Sequence, residues 1–284
     1  MIDLHSHTTA SDGTDGPAEL VALASEIGLE ALAITDHDTF AGYEQALPFA
    51  QSAKLELHCG IELSTRHLGK TIHLLGYFLN SPPTREFQEW VIFMQQSRRD
   101  RNIKLIAKLQ SLGIAIELDE VEAIGRSMTG RPHFALVLMK KGYAATVQDA
   151  FNLYLGDDAR AHVERESVAL AEAIRTVNGA GGLSVLAHPI RLGKRDQVQE
   201  EALIAEISQL GLRGLEVWHS DHHASDCVRY EQYARTYGLA MTGGSDYHGY
   251  VKPNIELGKG LGGNLRIPRS VLDDLRQLER PLRA

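Results

Sequence analysis

The chain has 284 residues, of which 43% are hydrophobic and 23% are charged, and its formal net charge is −8. This composition is typical of a globular protein and excludes a disordered or fibrous chain. The negative charge argues against nonspecific binding of long DNA or RNA, although metal ions bound in a pocket can make that pocket attractive to phosphate.

Short apolar runs alternate with helix-like segments over the first eighty residues. The runs MIDLH and LEALAITDH each predict a strand followed by a helix. The runs LELHCGIELS and KTIHLLGYF predict two further strands joined by a turn at Leu68 and Gly69.

From about Thr84 to Tyr154 the periodicity is almost entirely helical, and strand–helix alternation resumes at the segment GLSVLAHP. Alternation on both sides of a helical block predicts an α/β barrel-like body with a helical insertion. We place the two parts of the barrel at 1–83 and 166–284 and the insertion at 84–165. Periodicity alone does not separate a barrel from an open sheet.

The cysteines and the lengths of the apolar runs indicate where in the cell the protein is found. Cys59 and Cys227 lie outside any Cys-x-x-Cys motif, so neither a disulfide framework nor a thiolate metal site is predicted. No apolar run is long enough to span a membrane, and the first residues lack the pattern of a signal peptide. We therefore expect a cytoplasmic protein with no membrane association and no obligate protein partner.

Histidine and acidic residues recur where the predicted strands end. His5 and His7 are two apart on the first strand, so their side chains leave the same face. The others are Asp12, Asp36, His37, Glu62, His73, His188, Asp246 and His248. In a barrel of parallel strands the carboxyl ends converge on one rim, which would bring these groups together. Imidazole and carboxylate without thiolate suit Mn, Zn or Fe, and the number of groups favours a cluster of two or three metals able to catalyse phosphoryl transfer.

Each of these motifs alone also has a simple structural interpretation. A His-x-His pair can pack on a strand face, TDHD can be a solvated turn, and an HP dipeptide can begin a helix. Their recurrence at successive strand ends favours the metal site. The segment EVWHSDHHASD follows another predicted strand, but a surface loop explains His219, His222 and His223 equally well, and we leave these residues outside the site. We interpret three further histidines as structural or surface residues: His58, His67 and His162.

The segments DLHSHTTASDG, ITDHDT, GIEL, HLLGY, LAHP and GGSDYHG resemble the motifs of the PHP (polymerase and histidinol phosphatase) superfamily. This resemblance implies a distorted (β/α)7 barrel that holds up to three metals for phosphoester hydrolysis. It implies one metal on His5, His7, Glu62 and Asp246, a second on Asp12, His37 and His248, and a third on Glu62, His73 and His188. At the position of Asp12 many family members have a histidine, so the occupancy and identity of the second metal are open.

The resemblance also implies roles beyond the metal ligands. Asp246 would accept or relay the proton of the nucleophile, and Asp36 or a water molecule would protonate the leaving oxygen. The helical block resembles the insertion of bacterial 3′,5′-nucleotide bisphosphate phosphatases, which are also described as 5′→3′ exoribonucleases of short RNA. By this resemblance the substrate-binding residues are Arg99, Asn102, Arg131 and His133. A basic helix with a solvated face is the alternative interpretation.

We therefore expect a metal-dependent phosphoesterase, with Mn²⁺ favoured over Zn²⁺ or Fe²⁺, that removes the 3′-phosphate of nucleoside 3′,5′-bisphosphates. Short 5′-phosphorylated RNA is a related substrate. A histidinol phosphate phosphatase is an alternative within the same chemistry, although the Arg-rich helix suits a second phosphate better. The alternative from another class is a noncatalytic PHP module of the kind attached to DNA polymerases, which a degraded ligand set would have favoured.

Overall fold

Seven strands form one sheet in which the spatial order of the strands is also their order in the sequence. The computed structural model describes residues 1–125, 129–156, 158–163, 168–193 and 196–278. The strands are β1 (Ile2–Asp3), β2 (Ala31–Ile34), β3 (Glu56–His67), β4 (Lys70–Phe78), β5 (Leu183–Leu186), β6 (Gly214–His219) and β7 (Ala240–Gly244), and a small hairpin, β8 (Ile255–Glu256) and β9 (Gly260–Leu261), follows them.

One strand, β4, runs against the direction of the other six. It pairs antiparallel with β3 and with β5, whereas the remaining neighbours are parallel. The β3–β4 connection is the predicted turn, in which Leu68 and Gly69 have φ values of 48° and 77°, as a two-residue hairpin turn requires. Because β4 is reversed, its early residue His73 lies opposite Ser64 near the end of β3. The reversal therefore delivers His73 to the rim at which the parallel strands end.

The sheet nearly closes between β1 and β7. The backbone N–H of Leu4 donates to Gly243 (3.2 Å), that of Asp246 donates to the carbonyl of His5 (2.9 Å), and that of His7 donates to Tyr247 (2.9 Å). A side chain at position 244 would overlap the backbone of His5, so this approach requires Gly244. The predicted α/β barrel-like fold is thereby confirmed.

A buried carboxylate reinforces this closure. Asp3 is fully buried and accepts hydrogen bonds from the backbone N–H groups of His5, Ser245 and Gly258 and from the hydroxyl of Ser245. A buried carboxylate is tolerated when its oxygens are satisfied in this way. Asp3 thus joins the first strand to the segment that follows the last one.

Helices cover the sheet between its strands. Those of the barrel are α1 (Pro17–Glu26), α2 (Ala41–Ala53), α7 (Leu170–Gly179), α8 (Gln197–Gln209), α9 (Ala224–Tyr237) and α10 (Arg269–Leu278). The first begins as the sequence predicts, with Pro17 in its first turn and the Glu19 carboxylate accepting from the N–H of Gly16 (2.7 Å). The apolar residues of β1, β4 and β5 form a buried core with Ile267, Leu272 and Leu275.

The chain divides into two units, Met1–Glu89 with Ser167–Ala284 and Trp90–Glu166. The second unit contains most of α3 (Arg85–Ser111), α4 (Leu118–Gly125), α5 (Arg131–Lys140), α6 (Val147–Ala150) and a π-helical turn (Phe151–Leu155). It has its own apolar core, built from residues such as Leu109, Phe134 and Leu138. That the segment 84–165 acts as a substrate-capping insertion stays a prediction.

Among the described residues, no helix combines the length and the apolar character that crossing a membrane demands.

Candidate metal centre

Ten ionisable side chains meet at the rim where the parallel strands end, and we call them the rim cluster. Nine of the ten were predicted from the sequence, and most of the ten are almost completely buried. The rim cluster consists of His5, His7, Asp12, His37, Glu62, His73, His188, His219, Asp246 and His248. Within it, four sets of donor atoms, one of which also includes Glu216, lie close enough to hold an ion.

Glu62 is the centre of the rim cluster. One of its oxygens lies 3.3 Å from His5 Nε2, 3.1 Å from His7 Nε2 and 3.3 Å from His37 Nδ1. The other lies 2.8 Å from His73 Nδ1 and 2.9 Å from His188 Nε2. A single carboxylate therefore contacts five imidazoles from four separate segments of the chain.

The position of Glu62 differs in one respect from the prediction, because β3 does not end there but continues to His67. The loop after β2 stays paired with β3 at this point: the N–H of Glu62 donates to Asp36 and its carbonyl accepts from Asp38. Both the N–H and the carbonyl of Glu62 are thus hydrogen-bonded to this loop, which fixes the direction of its side chain.

Two more carboxylates complete the centre. One oxygen of Asp246 lies 3.5 Å from His5 Nε2 and 3.4 Å from His7 Nε2. Asp12 lies 3.3 Å from His248 Nε2, 3.5 Å from His7 Nδ1 and 3.6 Å from His37 Nε2. The structure thus brings together His5, His7, Glu62 and Asp246 as one set and His7, Asp12, His37 and His248 as another.

The third predicted set, Glu62, His73 and His188, has a different membership in the structure. Glu62, His73 and His37 form a set of mutually close donor atoms. His188 shares the same oxygen of Glu62 with His73, at 2.9 Å and 2.8 Å respectively. Glu62 therefore belongs to two of the four donor sets and contacts His188 as well, and all of these donor atoms are nitrogen or oxygen.

Several buried nitrogen atoms in the rim cluster lack a hydrogen-bond partner. Among the described residues these are His7 Nε2, His37 Nδ1 and His219 Nε2, each about 3.3 Å or less from a carboxylate oxygen. Leaving a buried polar atom unsatisfied costs about 1–3 kcal/mol. Cations held between these nitrogens and the carboxylates would satisfy both, so the residues present fit a metal cluster.

The electrostatics of the rim cluster favour cations. Burial raises the pKa of a carboxyl group, but the surrounding imidazoles outweigh it and hold the pKa values of Asp12, Glu62 and Asp246 well below their usual range. Burial lowers the pKa of an imidazole, yet the nearby carboxylates of Asp246 and Glu62 raise the pKa of His7 to about 9. At His37 burial dominates, and its pKa falls to about 3. The three carboxyl groups are therefore anionic at neutral pH.

Two members of the rim cluster have unusual backbone conformations. His188 has a φ of 27° and Asp246 a φ of 55°, a region that residues other than glycine seldom adopt. Such strain costs about 1–3 kcal/mol and persists where the surroundings dictate it, most often at functional sites. Here it turns two side chains into the rim cluster at the ends of β5 and β7.

Comparison with known families adds a finding that agrees with this geometry. The PHP domain matches residues 3–173, more than half of the chain. The chain belongs to the PHP domain family. Its seven-stranded, nearly closed sheet and its histidine-rich rim are the features that the sequence resemblance predicts for this family.

The relatives include enzymes that act on nucleotides and RNA. A 5′-3′ exoribonuclease of Haemophilus influenzae is 34% identical over 260 residues, covering 91% of this chain and 93% of the relative. A 3′,5′-nucleoside bisphosphate phosphatase of Chromobacterium violaceum is 30% identical over 251 residues, covering 87% of each. A solved structure from Bifidobacterium adolescentis, assigned as a metal-dependent phosphoesterase, superposes with a TM-score of 0.80 at 30% identity and covers 96% of this chain and 94% of its own.

Sequence reasoning missed Glu216, a fully buried carboxylate in the middle of β6. Its Oε1 lies 2.8 Å from His5 Nδ1, and its Oε2 accepts a hydrogen bond from the backbone N–H of His188 (2.6 Å). Burial raises the pKa of Glu216, but the charges of His5 and His219 outweigh burial and lower this pKa to about 2. Carboxylates of this kind orient metal-binding histidines in many proteins. The available signal was an acidic residue inside an otherwise apolar strand, which is uncommon unless it is paired.

His219 also belongs to the rim cluster, although the sequence interpretation left it outside. It is completely buried, and its Nε2 lies 3.3 Å from Asp246. A β-bulge in β6 puts it there: Glu216 pairs with Thr242 and Trp218 with Gly243, which leaves one residue extra. Residues three apart on a regular strand point to opposite sides, and the bulge reverses this, so that Glu216 and His219 face the same centre.

Asp36 is hydrogen-bonded to the segment between His7 and Asp12. It is fully buried, and its oxygens accept hydrogen bonds from the N–H and hydroxyl of Thr8 (2.8 and 2.7 Å) and from the hydroxyl of Ser11 (2.5 Å). A side chain at Gly42 would overlap this carboxylate. These contacts hold the loop between His7 and Asp12, and the protonation of a leaving group by Asp36 stays a prediction.

Among the described residues, the remaining histidines of the barrel belong to none of the donor sets of the rim cluster. His58 contacts Glu56 (3.1 Å) and His67 contacts Glu206 (3.0 Å). His222 is buried, and its Nδ1 donates to the carbonyl of Val217 (2.7 Å). Its pKa falls to about 4, chiefly through burial, so it is a neutral packing residue. His223 is exposed where α9 begins.

The four predicted substrate residues lie in the second unit. Arg99 is exposed and its Nε donates to Glu122 (3.0 Å), whereas Asn102 is buried and its amide donates to the carbonyl of Thr129 (2.8 Å). The two therefore occupy different environments, although they are three apart on α3. As predicted, Arg131 and His133 lie at the start of a helix, α5. Arg131 donates to Leu155 (3.2 Å), and His133 Nδ1 accepts from Gly130 (3.0 Å).

Proposed function

We propose that the protein is a metal-dependent phosphoesterase that hydrolyses the 3′-phosphate of nucleoside 3′,5′-bisphosphates, such as adenosine 3′,5′-bisphosphate. The observation that carries this proposal is the rim cluster, in which one carboxylate, Glu62, contacts five imidazoles. The phosphatase of Chromobacterium violaceum supports the choice of substrate.

Two or three divalent ions, with Mn²⁺ first and Zn²⁺ or Fe²⁺ as alternatives, would be held by His5, His7, Asp12, His37, Glu62, His73, His188, Asp246 and His248. Bound there, such ions supply an activated water and neutralise the charge that develops on a phosphoryl group. The nitrogen and oxygen donors and the unpartnered imidazole nitrogens of the rim cluster support this assignment.

In the proposed reaction, water attacks phosphorus and the bond from phosphorus to the 3′-oxygen breaks. Asp246 is ionised and lies beside His5 and His7, so it can take the proton that water loses. The leaving 3′-oxygen gains a proton from Asp36 or from a water molecule, and the products are a nucleoside 5′-phosphate and inorganic phosphate. The burial of Asp246 between imidazoles and two cationic side chains keeps it oriented for this exchange.

The insertion supplies the remaining part of the proposal. We assign contacts with the rest of the substrate to Arg99, Asn102, Arg131 and His133. A helix start combined with an arginine favours phosphate, which supports Arg131 and His133 as ligands of the second phosphate. We further propose a cytoplasmic location and a small-molecule substrate, with no obligate protein partner and no binding of long DNA.

A second candidate function is exonucleolytic cleavage of short 5′-phosphorylated RNA from its 5′ end. It is favoured by the Haemophilus influenzae exoribonuclease, the relative described above with the higher identity. The bond broken is again a phosphate ester at a 3′-oxygen, so the same rim cluster would serve both reactions.

The test is a comparison of three substrates with the Mn²⁺-loaded protein: adenosine 3′,5′-bisphosphate, a short 5′-phosphorylated oligoribonucleotide and histidinol phosphate. We expect the bisphosphate to be hydrolysed with the highest kcat/KM, and His7→Ala to lose at least about 100-fold. The exposed residue His223 gives the matched control, His223→Ala, which should keep full activity. Preference for histidinol phosphate would contradict the substrate assignment, and no metal-dependent hydrolysis of any of the three would contradict the enzyme itself.

A further inference from the structure

Backbone pairing with β3 continues beyond the end of β2. His37 lies opposite Glu62 in a parallel bridge, in the register of the two strands. The N–H of Glu62 donates to the carbonyl of Asp36 (3.2 Å), and the N–H of Asp38 donates to the carbonyl of Glu62 (2.9 Å). In a regular parallel ladder the next hydrogen bond would join the N–H of Ser64 to the carbonyl of Asp38.

The side chain of Asp38 takes the place of that carbonyl. Asp38 has a φ of 50°, in the left-handed region, and the chain leaves β3 here to begin α2 at Ala41. The N–H of Ser64 donates instead to Asp38 Oδ1 (2.8 Å). Aspartate tolerates this φ better than most residues, and its short side chain can replace a backbone acceptor. The fully buried Asp38 thus extends the ladder by one hydrogen bond after the backbone has left it.

Asp38 is linked to all three members of one donor set, His37, Glu62 and His73. It follows His37 directly in the chain, and its N–H holds the carbonyl of Glu62. Its carboxylate holds Ser64, which lies opposite His73 in the β3–β4 pairing. Glu62 Oε1 and His73 Nδ1 are 2.8 Å apart, so a small shift of β3 at these positions would change the distance between the two donors.

The other donor sets of the rim cluster depend less on Asp38. One of them shares only His37 with the set above, and another shares only Glu62 and takes its remaining members from the β1–β7 seam: His5, His7 and Asp246. At the seam the N–H of Asp246 donates to the carbonyl of His5 (2.9 Å), which fixes these residues independently of β3. A change at Asp38 should therefore affect one metal site more than the others.

We propose that Asp38 is a positioning residue for the divalent cation bound by His37, Glu62 and His73, and that it acts by fixing the backbone of β3. Asp38 itself belongs to none of the donor sets found among the described residues. Metal affinity depends on donors held within about 0.5 Å of their productive geometry, and a clamp on the strand that carries them supplies this precision. The inference rests on the metal cluster of the proposed function and deepens it.

The test counts Mn²⁺ ions per chain by elemental analysis after dialysis against a series of Mn²⁺ concentrations. Asp38→Ala removes the acceptor for the Ser64 N–H. We expect the affinity for one Mn²⁺ ion to fall about 10- to 100-fold, the usual cost of losing a residue that orients metal ligands, while the other ions are retained. Asp38→Asn keeps an acceptor oxygen and tolerates the same φ, so it should bind Mn²⁺ as the unaltered protein does.

Two further variants separate metal positioning from general stability. Asp38→Gly adopts a positive φ without strain but lacks the acceptor, so it should lose the same Mn²⁺ ion as Asp38→Ala. The matched control is Asn178→Ala, because Asn178 Oδ1 likewise accepts from a strand N–H, that of Ser184 at the start of β5 (3.3 Å). It lies at the end of the sheet away from the rim. Asn178→Ala should lower the melting temperature of the metal-free protein and keep every Mn²⁺ ion.

Three results would overturn the proposal. The first is unchanged Mn²⁺ binding in Asp38→Ala, and the second is equal weakening of all the bound ions, which would indicate general disruption of the barrel. The third is failure of Asp38→Asn to restore binding, which would assign the effect to the charge of Asp38 and not to its hydrogen bond.

This inference and the proposed function can fail separately. If the protein binds Mn²⁺ in the manner described but hydrolyses none of the three substrates, the positioning role of Asp38 stands and the enzyme assignment falls. If it hydrolyses adenosine 3′,5′-bisphosphate and Asp38→Ala keeps every Mn²⁺ ion with unchanged affinity, the enzyme assignment stands and the positioning role falls.

Discussion

The barrel contains two clusters of charged side chains, at opposite ends of its parallel strands, and they are built differently. At the start of β3, Glu56 contacts Arg269 through one oxygen and Arg276 and His58 through the other; we call these four residues the basal cluster. In the basal cluster each carboxylate oxygen has its own cation. In the rim cluster, carboxylates face imidazoles of which three nitrogens have no hydrogen-bond partner among the described residues.

This difference separates charges that stabilise the fold from charges that await a ligand. A paired carboxylate and guanidinium gain nothing from an added ion, because their charges and hydrogen bonds already balance. Carboxylates crowded against imidazoles gain a great deal, because a metal ion accepts lone pairs from both. The basal cluster is also more exposed than the centre of the rim cluster, but the completeness of pairing is what decides whether an added ion is stabilising.

The largest effect should come from exchanging one carboxylate in each cluster for its amide. Glu62→Gln should reduce metal affinity by more than about 100-fold, because Glu62 belongs to two of the four donor sets and also contacts His188. Glu56→Gln should leave the metal content unchanged and lower the free energy of unfolding by about 1 kcal/mol, as expected for a partly exposed ion pair. Metal analysis after dialysis and denaturant unfolding measure the two quantities. Equal metal loss in both variants would show that the clusters do not differ in this way.

A smaller loss of metal affinity is expected from a change at Glu216. This carboxylate contacts His5 Nδ1 and the backbone N–H of His188, whereas Glu62 contacts the Nε2 atoms of both histidines. Glu216→Gln keeps the shape but exchanges an acceptor for a donor at His5 Nδ1 or at the His188 N–H. Metal affinity should fall about 10- to 100-fold, the usual cost of losing such a partner. Co²⁺ substitution followed by absorption spectroscopy would report the altered geometry directly. A variant with the affinity and spectrum of the unaltered protein would assign Glu216 to packing alone.

The smallest effect concerns pH and the basal cluster. Burial, helped by the charges of Arg276 and Arg269, lowers the pKa of His58 to about 4. Between about pH 6.5 and pH 4 the unfolded chain therefore binds a proton at His58 that the folded chain does not bind. The stability that neutral His58 contributes is fully present above about pH 6.5 and is lost as the pH falls. From pH 7 to pH 5 this loss is about 2 kcal/mol.

His58→Gln should remove that loss, so the difference in free energy of unfolding between pH 7 and pH 5 should shrink by about 2 kcal/mol relative to the unaltered protein. The control is His223→Gln, at an exposed histidine, which should keep the full pH dependence. Urea unfolding at the two pH values, at the same metal concentration, measures both. An unchanged pH dependence in His58→Gln would mean that His58 is protonated in the folded protein at pH 5.

Much of the rim cluster was predictable because its members stand in short motifs at strand ends. His5, His37, His188 and Asp246 each follow an apolar run, and parallel strands direct such positions to one rim. His73 was predictable as a strand residue, but its arrival at the rim depends on the reversal of β4. The sequence signals that reversal only through the two-residue turn at Leu68 and Gly69.

What could not be predicted depends on contacts between distant parts of the chain. Glu216 stands alone in an apolar strand, and only closure of the sheet shows that it faces His5 across 211 residues. His219 required knowledge of a bulge, which one extra residue creates and which no residue type announces. Asp36 is adjacent to His37 in the sequence, yet its hydrogen bonds to Thr8 and Ser11 direct it into the loop.

The near-closure between β1 and β7 has a consequence for how the protein is made. His5 and His7 emerge from the ribosome some 240 residues before Asp246 and His248, which lie beside them at the seam. The earlier histidines and Glu62 therefore lack their full set of partners until the segment after β7 has been synthesised. A reactive centre split in this way is assembled last, so a chain that stalls before β7 has most of its ligands but does not complete the first proposed metal site.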